Sequence, residues 1–176
     1  MKHTVHRLSM PIGLAAMPVG LRMTTHDEGV ARADVRTVFD VVRAVERWPV
    51  HLRHYRNVRM IERDAHGGGV VEMWANRPFG PLDWPTFWRS FMEVDHSRPA
   101  VRFRHIAGVT KGMEVDWTFT ATATGTHVRL VHEWDGPAWP LIGGLVAQAV
   151  IGPVFVHGIA KRTLAGLARI AEREEA

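Results

Sequence analysis

The chain has no cysteine in its 176 residues. Disulfides, thiol nucleophiles and cysteine-based zinc sites are therefore excluded, and a reducing cytoplasm is the expected compartment. Tyrosine occurs once, as Tyr55, whereas tryptophan occurs seven times. That much indole suits a large core or an aromatic-lined cavity. Runs of basic residues are also missing. The formal net charge is +4, and the cations, nearly all arginines, are spread through the chain, which argues against nucleic acid as a partner. There is no phosphate-binding glycine loop and no hydrolase motif. Gly67, Gly68 and Gly69 read as a hairpin turn, and Ser90 has no flanking nucleophile signature. The length fits one domain that buries a core without staples.

Uninterrupted hydrophobic runs of spanning length are absent too. Met1 to Leu21 loosely resembles a secretory leader, but Pro11 and Pro18 break it and no small-residue cleavage site follows. Residues 1–20 are expected to be an N-terminal extension, with the domain proper at 21–176. Ala138 to Val156 contains Gln148 as its one strongly polar residue. Pro140, Gly143, Gly144, Gly152 and Pro153 divide it, so a buried segment closing a cavity fits better than a membrane span. Peripheral membrane contact stays open.

From Val35 the pattern turns helical. Val35, Val38, Phe39, Val42 and Val45 share one face, Asp34 is placed to cap, and Trp48-Pro49 is expected to end the helix before a short second one. Six period-2 segments then follow: Val58–Asp64, Val70–Asn76, Thr86–Asp95, Ala100–Ile106, Met113–Thr122 and His127–Trp134. Leu21 to Ala31 reads as a strand ahead of the helices. Arg77 to Pro85, with three prolines, reads as an irregular loop at a cavity mouth. The chain closes on a long helix whose inner stripe is Phe155, Ile159, Thr163, Leu167 and Ile170.

Strand, two helices, consecutive hairpins and a terminal helix define an α+β architecture. A curved antiparallel sheet of six to seven strands would wrap around the last helix and leave a cavity between them. Over about residues 24–174, VFDVV, VERWPVHLRHY, GMEVDWTF and GTHVRLVHEW occur in an order that resembles the START/polyketide-cyclase superfamily, with its helix-grip fold. The bacterial aromatase/cyclases, which fold and aromatise poly-β-ketone chains, are the branch it most resembles. Relatives that carry lipids or quinones without chemistry are more distant.

Strand parity supplies a site independently of that resemblance. Val128, Leu130, His132 and Trp134 form one face; Val101, Phe103 and His105 another; Met113, Val115, Trp117 and Phe119 a third; Trp88, Ser90, Met92 and Val94 a fourth. In the second of the six segments, Glu72, Trp74 and Asn76 are assigned inward, although Val71, Met73 and Ala75 are equally apolar. His105, His132, Tyr55 and Ser90 are the candidate catalytic residues, since an imidazole near neutral pH can take a proton from an enolisable ketone or protonate a leaving hydroxyl. Trp48, Leu52, Glu72, Trp74, Trp88, Met92, Phe103, Met113, Trp117 and Leu130 are the candidate substrate contacts. The resemblance implies that Tyr55 and Ser90 occupy positions kept in the cyclases, and that Trp48 and Trp117 match aromatic lining positions. It also implies that Met92 replaces an arginine and that His105 stands where another arginine can occur. Methionine neither donates a proton nor holds an oxyanion.

Two functional expectations result. The first is a cofactor-free cyclase or dehydratase acting on a polyketide-like ligand, which an acyl carrier protein could deliver. The second is a non-catalytic lipid or quinone carrier. No metal site is expected: His51 and His54 have ligand spacing with Glu46 nearby, but no clear third ligand. Monomer and homodimer are both compatible with the sequence.

Overall fold

The computed structural model describes residues 4–79, 82–136 and 156–176, and for 77–79 and 82–84 the backbone alone. Its elements are β1 (His6–Arg7), β2 (Met23–Ala31), α1 (Val35–Arg43), a 3₁₀ turn (Val45–Arg47), α2 (Trp48–His51), β3 (Tyr55–Arg63), β4 (Gly69–Phe79), β5 (Leu82–Asp95), β6 (Ala100–Gly108), β7 (Glu114–Thr122), β8 (Gly125–Trp134) and α3 (His157–Glu175).

The strands form one eight-stranded sheet in the order β1-β3-β4-β5-β6-β7-β8-β2. Strands β3 to β8 are consecutive antiparallel hairpins, so their spatial order follows the chain. β2 returns to pair with β8, and the helical crossing α1–α2 carries the chain from that side of the sheet to β3. The count exceeds the expected six to seven because β1 adds a short parallel pair on β3.

Local chemistry sets the helix ends. The Asp34 carboxylate accepts the Arg36 amide at 2.7 Å, which satisfies one of the open donors at the start of α1. The helix stops at Arg43, earlier than the sequence suggests. Trp48 itself is helical (φ −56°, ψ −43°), and Pro49 lies in the first turn of α2. A proline there loses no helical hydrogen bond, so it starts α2 and does not end α1.

The segment 77–85 is likewise not irregular as far as it is described. The β4–β5 ladder continues through Asn76 opposite Pro85 to Phe79 opposite Leu82. The apolar run 138–155 lies outside the described residues, as does Phe155 of the expected stripe.

α3 packs on β2 and against α1. It buries Ile159, Ala160, Thr163, Leu164, Leu167 and Ala171, while Ile170 is half-buried. Gly29 permits the close approach, since a Cβ at that position would lie 2.6 Å from Leu164 Cδ2. The far end of α3 is tied down by Glu172, which accepts the Arg32 amide at 3.0 Å, and by Glu175, which accepts the Thr37 hydroxyl at 2.7 Å.

The N-terminal extension packs as a strap. Its path runs from the Arg63 carbonyl (Leu8 amide, 2.9 Å) to Asp64 (Ile12 amide, 2.8 Å) and Arg102 (Ala15 carbonyl, 2.9 Å), then to Glu133 (Leu21 amide, 3.1 Å). It thus passes from the β3 side of the sheet to β8. Among the described residues, no helix is long and apolar enough to cross a membrane.

Candidate functional site

Alternation along β5 to β8 buries Trp88, Ser90, Met92, Val94, Val101, Phe103, His105, Val115, Trp117, Phe119, Val128, Leu130, His132 and Trp134. The charged residues between them pair on the other face. There Glu72 bridges Arg59 and Arg89 across β3, β4 and β5, while Arg102 lies between Glu93 and Asp116 across β5, β6 and β7. Burial alone would raise the Glu72 pKa, but hydrogen bonds from both arginines outweigh it and hold the carboxyl below its ordinary value. Asp116 is shifted up by burial, with Arg102 and Arg129 opposing.

A cavity of about 60 Å³ lies on the inner face. The sheet contributes Met73, Trp88, Phe103, His105, Val115, Trp117, Leu130 and His132; Trp48, Tyr55 and Met113 flank them. Val156, Ile159, Ala160 and Thr163 close it from the α3 side. Its wall contains a continuous train of rings. Trp117 lies 6.2 Å from Trp48, Trp48 5.1 Å from Tyr55, Tyr55 6.2 Å from Trp88, and Trp88 stacks on His105 at 5.9 Å with planes 18° apart. Edge-to-face pairs of this kind hold rings in place beyond simple burial.

Both inward histidines are oriented by threonines. Nδ1 of His105 is 2.6 Å from the Thr110 hydroxyl, and Nδ1 of His132 is 3.1 Å from that of Thr25. The turn carrying Thr110 is anchored by the Gly112 amide on the His105 carbonyl (2.8 Å) and by Trp134 Nε1 on the Lys111 carbonyl (3.0 Å). At the other side, β5 shifts register between Arg89 and Ser90, and Trp88 lies opposite Gly108. Gly108 has φ +92°, and a Cβ there would come within 2.1 Å of the Phe87 carbonyl oxygen. That bare glycine lets the bulge close and sets Trp88 over the imidazole.

The sequence-selected residues divide cleanly by place. Tyr55, His105, His132, Trp48, Trp88, Phe103, Met113, Trp117 and Leu130 border the cavity. Ser90 and Met92 are fully buried on the inner face but do not border it. Leu52 is buried beneath Gly166 and lines a separate cleft. Glu72 and Trp74 lie on the opposite face, Glu72 with its two arginines and Trp74 with Phe87 at 5.1 Å. Met73, between them, borders the cavity. This corrects the inward assignment of Glu72, Trp74 and Asn76: both faces of β4 are apolar enough that alternation does not choose, and the ion pairs across β3 and β5 do.

Sequence reading missed Asp27. Its side chain is completely buried on β2, with Oδ1 2.7 Å from His157 Nδ1. Burial raises its pKa above the ordinary value, with His157, Lys161 and His26 opposing. Nothing in MTTHDEGVA marks this aspartate as inward, because Thr25 and Gly29 share its face. Among the described residues no group of three acidic or histidine side chains could hold a metal ion.

A sheet laid around a terminal helix, with an aromatic-walled space between them, defines a helix-grip ligand-binding architecture. Residues 32–154 match the family described as polyketide cyclase/dehydrase and lipid transport, and the chain belongs to that family. Solved structures share the fold at low identity. A protein from Thermus thermophilus superposes with TM-score 0.74 at 18% identity, covering 87% of this chain and 99% of its own. The ZhuI aromatase/cyclase from Streptomyces sp. R1128 gives 0.73 at 17%, covering 85% and 93%. A START superfamily protein from Mycobacterium smegmatis gives 0.61 at 12%, covering 87% and 97%. No curated protein matches the sequence.

Proposed function

We propose that the chain binds a hydrophobic, polyketide-like small molecule in the inner cavity and promotes its cyclisation and dehydration without a cofactor. The observation that carries this reading is the pair of imidazoles, each with Nδ1 on a threonine, bordering one aromatic-walled space with Tyr55. An imidazole so oriented can take a proton from carbon next to a ketone and return it to a departing hydroxyl. The rings of Trp48, Trp88 and Trp117 would restrict the ligand to a folded conformer, so that much of the rate comes from holding reacting carbons close. Trp48 Nε1 is buried without a partner among the described residues, a donor suited to a ligand oxygen. The space itself is small. At about 60 Å³ it is well below the roughly 300 Å³ of a ligand site, so binding requires α3 or the ring train to move aside.

A second reading, a non-catalytic lipid or quinone carrier, is favoured by Met92. It is wholly buried and leaves the inner face without an arginine at that position. The two readings separate in a reconstituted polyketone-producing system. The cyclase reading expects His105→Ala with His132→Ala to change the ratio of cyclised to shunt products. An unchanged ratio, with apolar ligand retained in native mass spectra, assigns the carrier role.

A further inference from the structure

A space roomier than the aromatic cavity lies outside it. A cleft of about 420 Å³ opens between the end of α2 and the outer side of α3, lined by His51, Leu52, Arg53, His54, Asn76, Arg162, Gly166 and Arg169. Its polar lining is cationic or neutral, with no carboxylate among those residues. Arg162 and Arg169 are two helical turns apart and so share a face of α3. Gly166 sits between them, where a Cβ would lie 2.2 Å from Leu52 Cδ2; the helix is pressed onto Leu52, and the two guanidinium groups flank the contact. Arg53, Arg162 and Arg169 are exposed and, among the described residues, make no ion pair. Elsewhere on this chain most arginines face a carboxylate, as Arg59, Arg63, Arg89, Arg102 and Arg104 do. Three uncompensated guanidinium groups around one concavity repel each other and favour an anion between them.

The cleft and the cavity share a thin wall. His54 borders the cleft, Thr163 borders the cavity, and His54 Nε2 lies 2.9 Å from the Thr163 hydroxyl. The next residue, Tyr55, turns its ring into the cavity, 4.7 Å from the His54 ring. We propose that this cleft is an anion site that holds the phosphate of an amphiphilic ligand whose apolar part enters the aromatic cavity. Guanidinium forks match phosphate oxygens in pairs, and an open cleft keeps the charged head hydrated at one side. The inference rests on the cavity accepting an apolar chain, and so extends the function proposed above to phosphate-headed ligands.

Two titrations test it on the intact chain, read by amide NMR. In the first, inorganic phosphate is added at constant ionic strength, so that general screening of surface charge is held fixed. Saturable shifts at Arg53, Gly166 and Arg169 that vanish in the double variant Arg53→Gln, Arg162→Gln support the anion site. Shifts absent from the cleft, or unchanged in the variant, overturn it. In the second, decyl phosphate is compared with decanol. Decyl phosphate should bind about tenfold or more tightly, and the double variant should bring the two together. Equal affinity in the parent chain overturns the phosphate-headed ligand while leaving the cavity reading intact. If neither alkyl compound binds while inorganic phosphate does, the cavity reading fails and the anion site survives without its apolar extension. Competition then distinguishes the source: displacement of decyl phosphate by phosphopantetheine at about tenfold lower concentration than by inorganic phosphate assigns a carrier-tethered arm, and displacement no better than by inorganic phosphate assigns a free amphiphile.

Discussion

The hydroxyl of Thr110 lies 2.6 Å from Nδ1 of His105, inside a turn that buries both residues. The contact engages Nδ1 with a hydroxyl while Trp88 stacks on the ring face, which fixes the ring plane and leaves Nε2 as the other proton-carrying position, the requirement for a proton-transferring imidazole. Replacing Thr110 with valine keeps the shape and removes the hydroxyl. The variant should lose about 0.5–1.5 kcal/mol of stability with that hydrogen bond, and the ¹⁵N spectrum of His105 should change from one tautomer to a mixture. Thr110→Ser should restore the parent spectrum. Identical imidazole signals in Thr110→Val and parent would show that the turn alone orients the ring.

Asp27 makes stability depend on pH in a defined direction. Burial raises its pKa above the ordinary 3.8, against the opposing influence of His157, Lys161 and His26. The folded chain therefore holds this proton more tightly than the unfolded chain. Its contribution is full below the ordinary carboxylate range and is lost as pH rises through the raised value. Asp27→Asn should remove that decline. Urea midpoints measured from about pH 4 upward, just above the ordinary carboxylate value, should fall less steeply for the variant than for the parent, and parallel curves would refute the assignment.

Trp117 borders the cavity, is buried, and lies 6.2 Å from Trp48. Trp117→Ala should cost about 3–5 kcal/mol through lost burial and the void it leaves. Because the void joins an existing aromatic space, a small aromatic such as naphthalene should recover part of the lost thermal stability. No ligand-dependent rise in Tm for the variant would show that the space does not accept guests.

Gly108 holds the bulge that places Trp88. With φ +92° and a Cβ position 2.1 Å from the Phe87 carbonyl oxygen, alanine there is both strained and obstructed. Gly108→Ala should destabilise by more than about 1 kcal/mol and disturb the Trp88–His105 stack. Near-ultraviolet circular dichroism reports that disturbance, and an unaltered spectrum would contradict the role given to the glycine.

The fold was largely legible because its signals are local. Alternation in β5 to β8 needed no partner to be read, and Asp34 announces its helix by type and position. Legibility failed where the deciding contact is distant. Val70 and Trp74 make the Glu72 side of β4 partly apolar, and the pairing of Glu72 with Arg59 and Arg89 on neighbouring strands decides that Val71, Met73 and Ala75 are the inward set. Prolines 78 and 85 signal a break, yet the β4–β5 ladder runs past both, since a proline is tolerated where its nitrogen faces away from the partner strand. Pro49 misled in the same way, serving as a helix start. Thr25 and Asp27 reach His132 and His157, more than a hundred residues away in the chain, and no spacing rule spans that distance. The basic cleft was equally hidden, because Arg53 and Arg162 come to border one cleft only when Gly166 of α3 packs on Leu52.

The account depends on the space between the sheet and α3 opening to receive an apolar guest. Isotope-filtered nuclear Overhauser spectra of the labelled protein with unlabelled 2-naphthol address this most directly. Cross-peaks from the ligand to Trp48, Trp117, Leu130 and Ile159 are expected, all of which border the cavity. Contacts confined to exposed side chains such as Met10 and Val19, or no contacts at saturating ligand, would contradict it.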